Sequence, residues 1–529
     1  MNTKSDLPAS SKISTGKRLG AGLIAGIVAG LVMTTVMLLL MSGLRIATPL
    51  TIMGDRLSVF FDVDTFLRLM GRLGGYNNMK ELGVGSVMLG QIVLGAIGGA
   101  IYGLNALKLS RGGRRALSIG LFIILPMVAV AAALWPVLAT SYSGYPMRNA
   151  LVITLVGLLV SFIAFERTLV IAFHGLVARS RSLPANVEFS PPIARRTLLL
   201  GALGLLVAGG GAAILRKLYR AATFSYDGTQ YVGETVQAIT PNEQFYCVTK
   251  NVIDPVVDQS VWRLEVNGLV EHRQTYKMDR LRGLPSITQE TTLMCISNGI
   301  GAGLMSNALW KGVTMKTLLE SASPRPEATR VVLHGVDNYV DTIPLAKALD
   351  PQTLIAYEMN GAALPSRHGF PARAIVPGYF GEKHVKWITR IELATDDKKG
   401  FYEKQGWGPD FTVPTRSRID LPPDQSWTDG ATAANGVKIR GVAFGGDHGI
   451  SRVEVSSDDG KTWAEAKIDY PGTPLTWALW SYDWRPPGAG TYTLVVRATN
   501  GDGQLQAFDP NRPTKSGVTG FHKVTSYIG

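Results

Sequence analysis

Cys295 is the residue of this chain best suited to bind a metal or to act as a nucleophile. It lies in the segment Thr291–Leu319 and is one of only two cysteines in 529 residues. A glycine-rich turn follows it, so the backbone there can approach a bulky ligand closely. A thiolate on such a turn is a suitable ligand for a soft metal. A lone cysteine after a short apolar run is more often a buried structural thiol, so other residues must distinguish these two roles.

Length and composition narrow the class of protein. A chain of 529 residues predicts about three domains. A hydrophobic content of 46% is high for a soluble enzyme and indicates membrane segments. The net charge of +13 lies largely beside apolar runs, where it sets membrane topology, so we expect no nucleic-acid partner. Two cysteines exclude a disulfide framework and leave open a single Cys247–Cys295 bridge.

Five apolar stretches approach or reach the roughly 20 residues that a helix needs to cross a bilayer. They are Leu19–Leu40, Leu82–Leu104, Leu117–Ala139, Ala150–Phe173 and Leu198–Leu215. We assign residues 1–220 to this membrane domain. Basic clusters before the first stretch, between the second and third, and between the fourth and fifth predict a cytoplasmic N-terminus. Five crossings then place the following domains outside the cytoplasm, on the periplasmic side if the cell has two membranes.

Three features of this region have two interpretations each. The amphipathic run Phe60–Leu73 predicts a helix lying in the membrane interface or an ordinary packed loop helix. Glu166–Arg167 is either a functional charged pair or a pair that reaches the interface. Arg195–Arg196 resembles a twin-arginine export signal, or it is a plain cytoplasmic anchor. His174 is the only histidine before residue 220, so we predict no haem.

Residues 221–412 predict an α+β domain, because short β-branched runs alternate with turns and short helical patterns. The run Ala356–Leu393, AYEMNGAALPSRHGFPARAIVPGYFGEKHVKWITRIEL, closely resembles the molybdenum–pterin core of the sulfite oxidase family. Cys295, followed by Asn298 and then by Trp310 and Gly312, resembles that family's metal-ligand segment. Thr240–Val257 resembles its first pterin-contacting strand.

The resemblance implies a molybdenum–molybdopterin cofactor and a set of residues that bind it. Cys295 is the implied metal ligand. The implied pterin contacts are His368, Arg373, His384, Val385 and Lys386, with a looser match at Tyr246, Cys247 and Asp337. The residue types suit this role, since the anionic tail of the pterin requires cations and close backbone N–H groups. If Cys295 binds the metal, Cys247 is free.

Departures from the family pattern concern the substrate. Sulfite oxidases have an arginine directly after the asparagine that matches Asn298, and here Gly299 stands there. Lys250 is the only basic residue in Tyr246–Asn251, where the family has another arginine, and Trp407 stands where the family has a tyrosine. We expect Ser297, Asn298 and Trp407 to shape the pocket, although Ser297 suits a turn-stabilising hydroxyl equally well. A site without both arginines and that tyrosine predicts a substrate other than sulfite.

The C-terminal part alternates apolar and polar residues with period two. After a predicted linker at 413–425, strands at Val437–Phe444, Ile450–Ser457, Trp463–Ile468 and Trp477–Trp484 predict an immunoglobulin-like β-sandwich over 426–529. The stretch resembles the dimerisation domain that follows the molybdenum core in sulfite oxidases. A homodimer is therefore one expected partner arrangement.

Taken together, the sequence predicts a multidomain, multi-pass membrane protein that is a molybdopterin oxidoreductase. It would transfer an oxygen atom and two electrons, either oxidising a small-molecule substrate or reducing an oxide such as a sulfoxide. Because the sequence contains no second redox motif, we expect a separate electron carrier, a cytochrome or a quinone-linked protein. The alternative is a non-enzymatic membrane protein for assembly or adhesion. A transporter is disfavoured, because the apolar segments hold few charges.

Overall fold

The fold is described from a computed structural model that covers residues 13–181, 223, 226–509 and 513–529. These residues divide into two compact units. The first comprises the described residues of 1–57, 72–141 and 147–222. The second comprises 58–71, 142–146 and the described residues of 223–529. Two short segments that we predicted within the membrane domain belong to the second unit, and the predicted boundary at 220 stays a prediction.

The first unit is helical. Its helices are α1 (Thr15–Leu44), α2 (Pro49–Ser58), α4 (Tyr76–Asn105), α5 (Arg111–Ile119), α6 (Leu125–Ala133) and α7 (Met147–Arg181). A π-helical turn at Gly120–Ile124 joins α5 to α6. Four segments are long and apolar enough to cross a membrane: Thr15–Leu44, Tyr76–Lys108, Arg111–Ala133 and Met147–Ala178. They match the first four predicted spans, whereas Leu198–Leu215 and Arg195–Arg196 lie outside the described residues and stay predictions.

Glycines bring α1 and α4 into backbone contact. A Cβ atom added at Gly26 would lie 2.1 Å from the carbonyl oxygen of Gly95, and one added at Gly99 would lie 2.2 Å from that of Gly22. Small residues at a four-residue spacing allow helices in lipid to approach this closely, since van der Waals contact replaces the hydrophobic effect there.

Two segments that connect the candidate membrane-spanning helices are part of the second unit. The first contains most of α3 (Val63–Arg72), the helix predicted in Phe60–Leu73. The second is Tyr142–Pro146, where the carbonyl oxygen of Tyr142 accepts a hydrogen bond from the amide of Val256 at 2.9 Å. Because Val63 is only 4% exposed, the packed-helix interpretation of Phe60–Leu73 holds at this residue.

Two sheets form the core of the second unit. The first has the order β2–β1–β10–β5–β6, and the second joins β3, β4, β7 and β8, with β9 paired to β7. Their bounds are β1 (Leu264–Gly268), β2 (Gln274–Tyr276), β3 (Ile287–Met294), β4 (Met305–Thr314), β5 (Arg330–Gly335), β6 (Val340–Pro344), β7 (Leu354–Met359), β8 (Ala362–Ala363), β9 (Arg373–Ile375) and β10 (Ile388–Ala394). The short helices are α8 (Met278–Arg282), α9 (Met315–Glu320) and α10 (Leu345–Ala348). The predicted mixture of strands and short helices is therefore present, with strands dominant.

Two further sheets share one apolar core at the C-terminal end. One has the order β11–β13–β17–β16 and the other β12–β19–β18–β14–β15. Their bounds are β11 (Arg416–Leu421), β12 (Ser426–Thr428), β13 (Val437–Phe444), β14 (Ile450–Ser456), β15 (Ala464–Glu465), β16 (Lys467–Tyr470), β17 (Ala478–Trp484), β18 (Gly490–Asn500) and β19 (His522–Ile528), with α11 at Gly430–Ala434. The immunoglobulin-like topology stays a prediction.

The predicted linker at 413–425 is not a free connection. It contains β11, whose residues Arg416–Asp420 are all buried and pair with β13. The segment was predicted to be a linker because it contains charged residues, and two of these, Arg416 and Arg418, are buried in β11. Their partners lie in the segment that carries Cys295.

Candidate active site

Cys295 lies at the end of β3, where the chain leaves the sheet and turns back into β4. Its amide donates to the carbonyl oxygen of Leu304 at 2.9 Å, and its Sγ lies 3.1 Å from Ser297 Oγ. Burial raises the pKa of the Cys295 thiol to about 11. A thiol of this kind keeps its proton at neutral pH unless a metal ion replaces it. Cys295 and Cys247 are both free, which removes the disulfide alternative.

The turn after Cys295 is held by hydrogen bonds from two arginine side chains of β11. Arg416 donates to the carbonyl oxygens of Asn298 and Gly299, both at 2.7 Å. Arg418 donates to that of Ala302 at 3.0 Å. Sequence reasoning missed both arginines, whose signal was a run of alternating charged residues inside the predicted linker.

Of the three predicted pocket residues, two have local hydrogen bonds in this turn. Asn298 is buried, and its side-chain oxygen accepts from the amide of Leu304 at 2.9 Å. Ser297 contacts the Cys295 sulfur directly. Asn298 therefore shapes the turn from within, and Ser297 is the polar group nearest the thiol among the contacts described.

Arg373 is the strongest feature of the predicted cofactor cradle. It is 4% exposed and donates to the carbonyl oxygens of His368 at 3.0 Å and His384 at 3.1 Å. Its Nε has no hydrogen-bond partner, and no carboxylate of the described residues pairs with it. Burial lowers the pKa of Arg373 to about 10, so the guanidinium remains charged at neutral pH. A buried cation without an anion is costly, and an anionic pterin tail would remove that cost.

The two histidines of the cradle are neutral at physiological pH. Burial, followed by the charge of Arg373, lowers the pKa of both His368 and His384 to about 3. His384 uses both ring nitrogens internally, because Nδ1 accepts from the amide of Val376 and Nε2 donates to the carbonyl oxygen of Tyr379. From the residue types alone, His368, Arg373, His384 and Lys386 would supply four cations here. The charge is instead supplied by Arg373 and Lys386.

The other predicted cofactor residues surround this cation. Lys386 donates to the carbonyl oxygen of Arg367 at 3.1 Å, and the carbonyl of Val385 accepts from the amide of Ala374. A Cβ added at Gly381 would lie 2.5 Å from the Tyr246 hydroxyl and 3.7 Å from Cys295 Cα, so the phenol lies near the residue that carries the thiol. Cys247 is buried with its Sγ 3.8 Å from the carbonyl oxygen of Arg367.

Asp337 binds Lys250, the basic residue of Tyr246–Asn251. Its Oδ2 accepts from Asn251 at 2.9 Å and lies 3.9 Å from Lys250 Nζ. Lys250 also donates to the carbonyl oxygen of Asp337 at 2.8 Å. The one basic residue of Tyr246–Asn251 is thus engaged with Asp337.

Trp407 lies in the same apolar cluster as Ile296, the residue that follows Cys295. It is 6% exposed, and its ring meets that of Tyr402 edge-on at 5.9 Å. Its Nε1 has no hydrogen-bond partner among the described residues. The structure therefore brings Trp407 near the Cys295 turn and leaves it with a buried, unused donor.

Glu382 was not singled out from the sequence. Both of its carboxyl oxygens are buried without a hydrogen-bond partner in the described part of the chain. Burial, with a smaller effect of Asp341, raises the pKa of Glu382 to about 8. Its neighbour Lys383 is buried between Asp341 at 2.7 Å and Glu403 at 2.8 Å. This ion pair network holds the segment that leads to Trp407.

The donor set fits a cofactor that brings most of its own ligands. Among the described residues, no group of three or more His, Cys, Asp or Glu side chains could hold a metal ion. One cysteine sulfur, together with a buried, uncompensated arginine in the same unit, suits a metal already held by the sulfurs of an anionic pterin. The unpaired Nε of Arg373 is an orphan that such a ligand would satisfy.

Comparison with known proteins finds family models that match both parts of the second unit. The family model "Oxidoreductase molybdopterin binding domain" matches residues 251–402, and "Mo-co oxidoreductase dimerisation domain" matches 410–519. The mitochondrial sulfite oxidase of Homo sapiens is 32% identical over 56% of this chain and 62% of its own length. An inducible NADH nitrate reductase of Glycine max is 30% identical over 42% of this chain and 32% of its length. Among solved structures, the sulfane dehydrogenase SoxCD from Paracoccus pantotrophus is 23% identical, covering 55% of this chain and 81% of that chain, with a TM-score of 0.49.

These matches bear on the second unit rather than on the helices. The chain spans about half the length of the curated relatives it matches. Both family models lie within residues 251–519 and occur in the order predicted from the sequence. The chain belongs to the sulfite oxidase family of molybdopterin-dependent oxidoreductases.

Proposed function

We propose that this chain is a membrane-anchored molybdopterin oxidoreductase that transfers an oxygen atom, with two electrons, between water and a small substrate. The observation that carries the proposal is Arg373, a buried cation whose hydrogen-bond acceptors are carbonyl oxygens and whose Nε is unpaired. Family membership supplies the class of cofactor that completes this site.

Each site residue has one proposed task. Molybdenum, when bound, supplies the two-electron chemistry and the exchange of the oxygen atom. Cys295 is its protein ligand. Arg373 and Lys386 neutralise the pterin tail, while Tyr246, Cys247, Asp337, His368, His384 and Val385 line or support its binding segment. Ser297, Asn298 and Trp407 shape the substrate pocket.

We further propose that the substrate is not sulfite itself. Gly299 stands where an anion-gripping arginine was expected, and Lys250 is engaged with Asp337. Arg416, the nearest arginine to Gly299 among the contacts described, is occupied by two carbonyl oxygens. A pocket with few available cations favours an uncharged substrate over a dianion.

The reaction requires an electron partner in either direction. Oxidation converts substrate and water into the oxide, two protons and two electrons, and reduction of an oxide consumes the same set. We propose a cytochrome or a quinone-linked protein as the carrier. The match to a dimerisation domain supports a homodimer.

Metal analysis and a substrate panel test this function. We expect purified protein to contain about one molybdenum and one pterin per chain. It should then oxidise or reduce at least one substrate from a panel of small sulfoxides, N-oxides and sulfite, with an artificial electron carrier. A protein that contains neither molybdenum nor pterin after expression with molybdate would refute the proposal. A preference for sulfite would refute only the substrate assignment.

A further inference from the structure

Helix α3 belongs to the first loop of the membrane region but packs into the unit that contains the site. Val63 is 4% exposed and lies in one apolar cluster with Trp407, Phe411 and Ile296. Phe66 and Leu67 are half-buried and pack against the same cluster. Residues 63, 66 and 67 share one face of a helix, and Asp64 and Arg68 are exposed. The helix therefore buries its apolar face on the tryptophan segment.

The start of this helix is fixed by its own cap. The carboxylate of Asp62 accepts from the amide of Thr65 at 2.7 Å, and the Asp62 carbonyl accepts from the amide of Phe66 at 2.9 Å. A side chain that caps the first turn fixes where a helix begins. The cap at Asp62 thus makes Val63 the first residue of α3.

Val63 meets the chain one residue before Trp407. Its Cγ2 lies 3.9 Å from the position that a Cβ on Gly406 would occupy, and Gly406 has a φ of +91°. The segment is held elsewhere as well, because Glu403 binds Lys383 at 2.8 Å and the amide of Gly408 donates to the carbonyl oxygen of Lys515 at 2.9 Å. Helix α3 adds an apolar contact between these two polar attachments.

The indole Nε1 of Trp407, in the segment held by these contacts, has no hydrogen-bond partner among the described residues. The side chain is more than nine-tenths buried, yet its Nε1 has no acceptor among the described residues. A buried donor without a partner is rare and costs free energy. A ligand that offers an oxygen at this point would satisfy it.

We propose that α3 is a positioning element that holds Trp407 so that its indole Nε1 donates a hydrogen bond to the oxygen of the bound substrate. The inference rests on the proposed function and assigns to the first membrane loop a part in substrate recognition. An indole N–H binds an oxygen without adding charge. The arrangement therefore favours neutral oxides, such as sulfoxides or N-oxides, over dianionic sulfite.

Single substitutions and one double substitution test the proposal in the full-length, molybdenum-loaded protein. Trp407→Phe removes the donor and keeps an aromatic ring, so we expect kcat/KM for the best neutral substrate to fall about tenfold. Val63→Ala should lower kcat/KM about threefold to tenfold with unchanged molybdenum content. Val63→Ile, which keeps a branched apolar side chain, should retain most of the wild-type kcat/KM. Phe61→Ala is the control, because Phe61 is 42% exposed on the same loop, and it should change nothing.

The double variant distinguishes positioning from general destabilisation. If α3 acts through Trp407, Val63→Ala combined with Trp407→Phe should be no slower than Trp407→Phe alone. Multiplicative losses, or a Val63→Ala variant with wild-type kinetics, would overturn the proposal. Loss of molybdenum in Val63→Ala, with normal kinetics per metal, would also overturn it.

Hydrogen exchange makes the test independent of the substrate. The amides of Trp407 and Gly408 donate to Tyr402 and Lys515. In Val63→Ala they should exchange faster, while those of β9 should not change. Unchanged exchange at Trp407 and Gly408 would refute the positioning role. Failure of the proposed function is a separate result, namely wild-type protein without molybdenum or without any active substrate.

Discussion

At the scale of single residues, the two cysteines differ in what surrounds them. Cys295 ends a strand and its sulfur contacts a serine hydroxyl, whereas Cys247 is buried against a backbone carbonyl. We expect Cys295→Ala to lose more than nine-tenths of the bound molybdenum and all activity, because Cys295 is the single protein ligand that we propose for the metal. Cys247→Ala should keep most of its molybdenum. Metal analysis of both purified variants checks this, and equal metal content would contradict the assignment of Cys295.

Glu382 provides a pH-dependent prediction. Its folded-state pKa of about 8 lies above the ordinary value of 4.5. Between pH 4.5 and pH 8 the carboxyl group of Glu382 is ionised in the unfolded chain and protonated in the folded protein. The free energy of unfolding should therefore fall by about 1.4 kcal/mol per pH unit from pH 5 to pH 8 through this group.

In Glu382→Gln this contribution disappears. Cofactor-free protein carrying this substitution should resist heat better than cofactor-free wild type at pH 8 and about equally at pH 4.5. Thermal unfolding in one detergent across this pH range measures the difference. Parallel curves for the two proteins would show that Glu382 ionises normally in the folded state.

At the scale of helices, packing through glycine gives a matched comparison. A Cβ at Gly99 would clash with the backbone of α1, whereas one at Gly90, on the same helix, would meet nothing within 4 Å. Gly99→Ala should therefore lower the unfolding temperature, because α1 and α4 must separate. Gly90→Ala should leave it unchanged or raise it slightly, since alanine favours helix. Thermal unfolding in detergent checks both, and equal effects would contradict the close approach.

Sequence reasoning succeeded where periodicity and local motifs carry the information. Four long apolar helices followed from hydropathy, and β13 (Val437–Phe444) was predicted with its observed bounds. It failed where a residue's role depends on a partner far along the chain. Arg416 was placed in a linker because its acceptors lie 117 and 118 residues away along the chain. The neutrality of His384 likewise depends on burial, which a single sequence does not reveal.

The same limit applies to α3. Its amphipathic pattern predicted a helix with one buried face, and two interpretations of that face were left open. Its contact with Gly406 spans more than 300 residues of sequence, and no local signal marks it. The amphipathic pattern predicts that one face of the helix is buried. Which surface that face packs against depends on tertiary contacts such as this one.

At the scale of the whole molecule, the two segments of the second unit that interrupt the helical region predict the sidedness of the site. Residues 58–71 follow the first candidate span and residues 142–146 follow the third, and both belong to the unit that contains the site. Each is reached after an odd number of candidate spans. The site should therefore lie on the side opposite the N-terminus, and an odd number of crossings must precede residue 223. The basic residues Lys108 to Arg115 would then face the cytoplasm, as the positive-inside rule expects.

Cysteine labelling of intact cells tests this topology. Lys467→Cys places a thiol on an exposed strand of the C-terminal module, and Gly112→Cys places one in the basic segment where a side chain meets nothing within 4 Å. An impermeant maleimide should label Lys467→Cys in intact cells and Gly112→Cys only after the membrane is opened, with wild-type protein as the background. The reverse pattern would place the site in the cytoplasm. Because a site outside the cytoplasm cannot draw on soluble cytoplasmic electron donors, the observed pattern also decides which class of carrier can serve it.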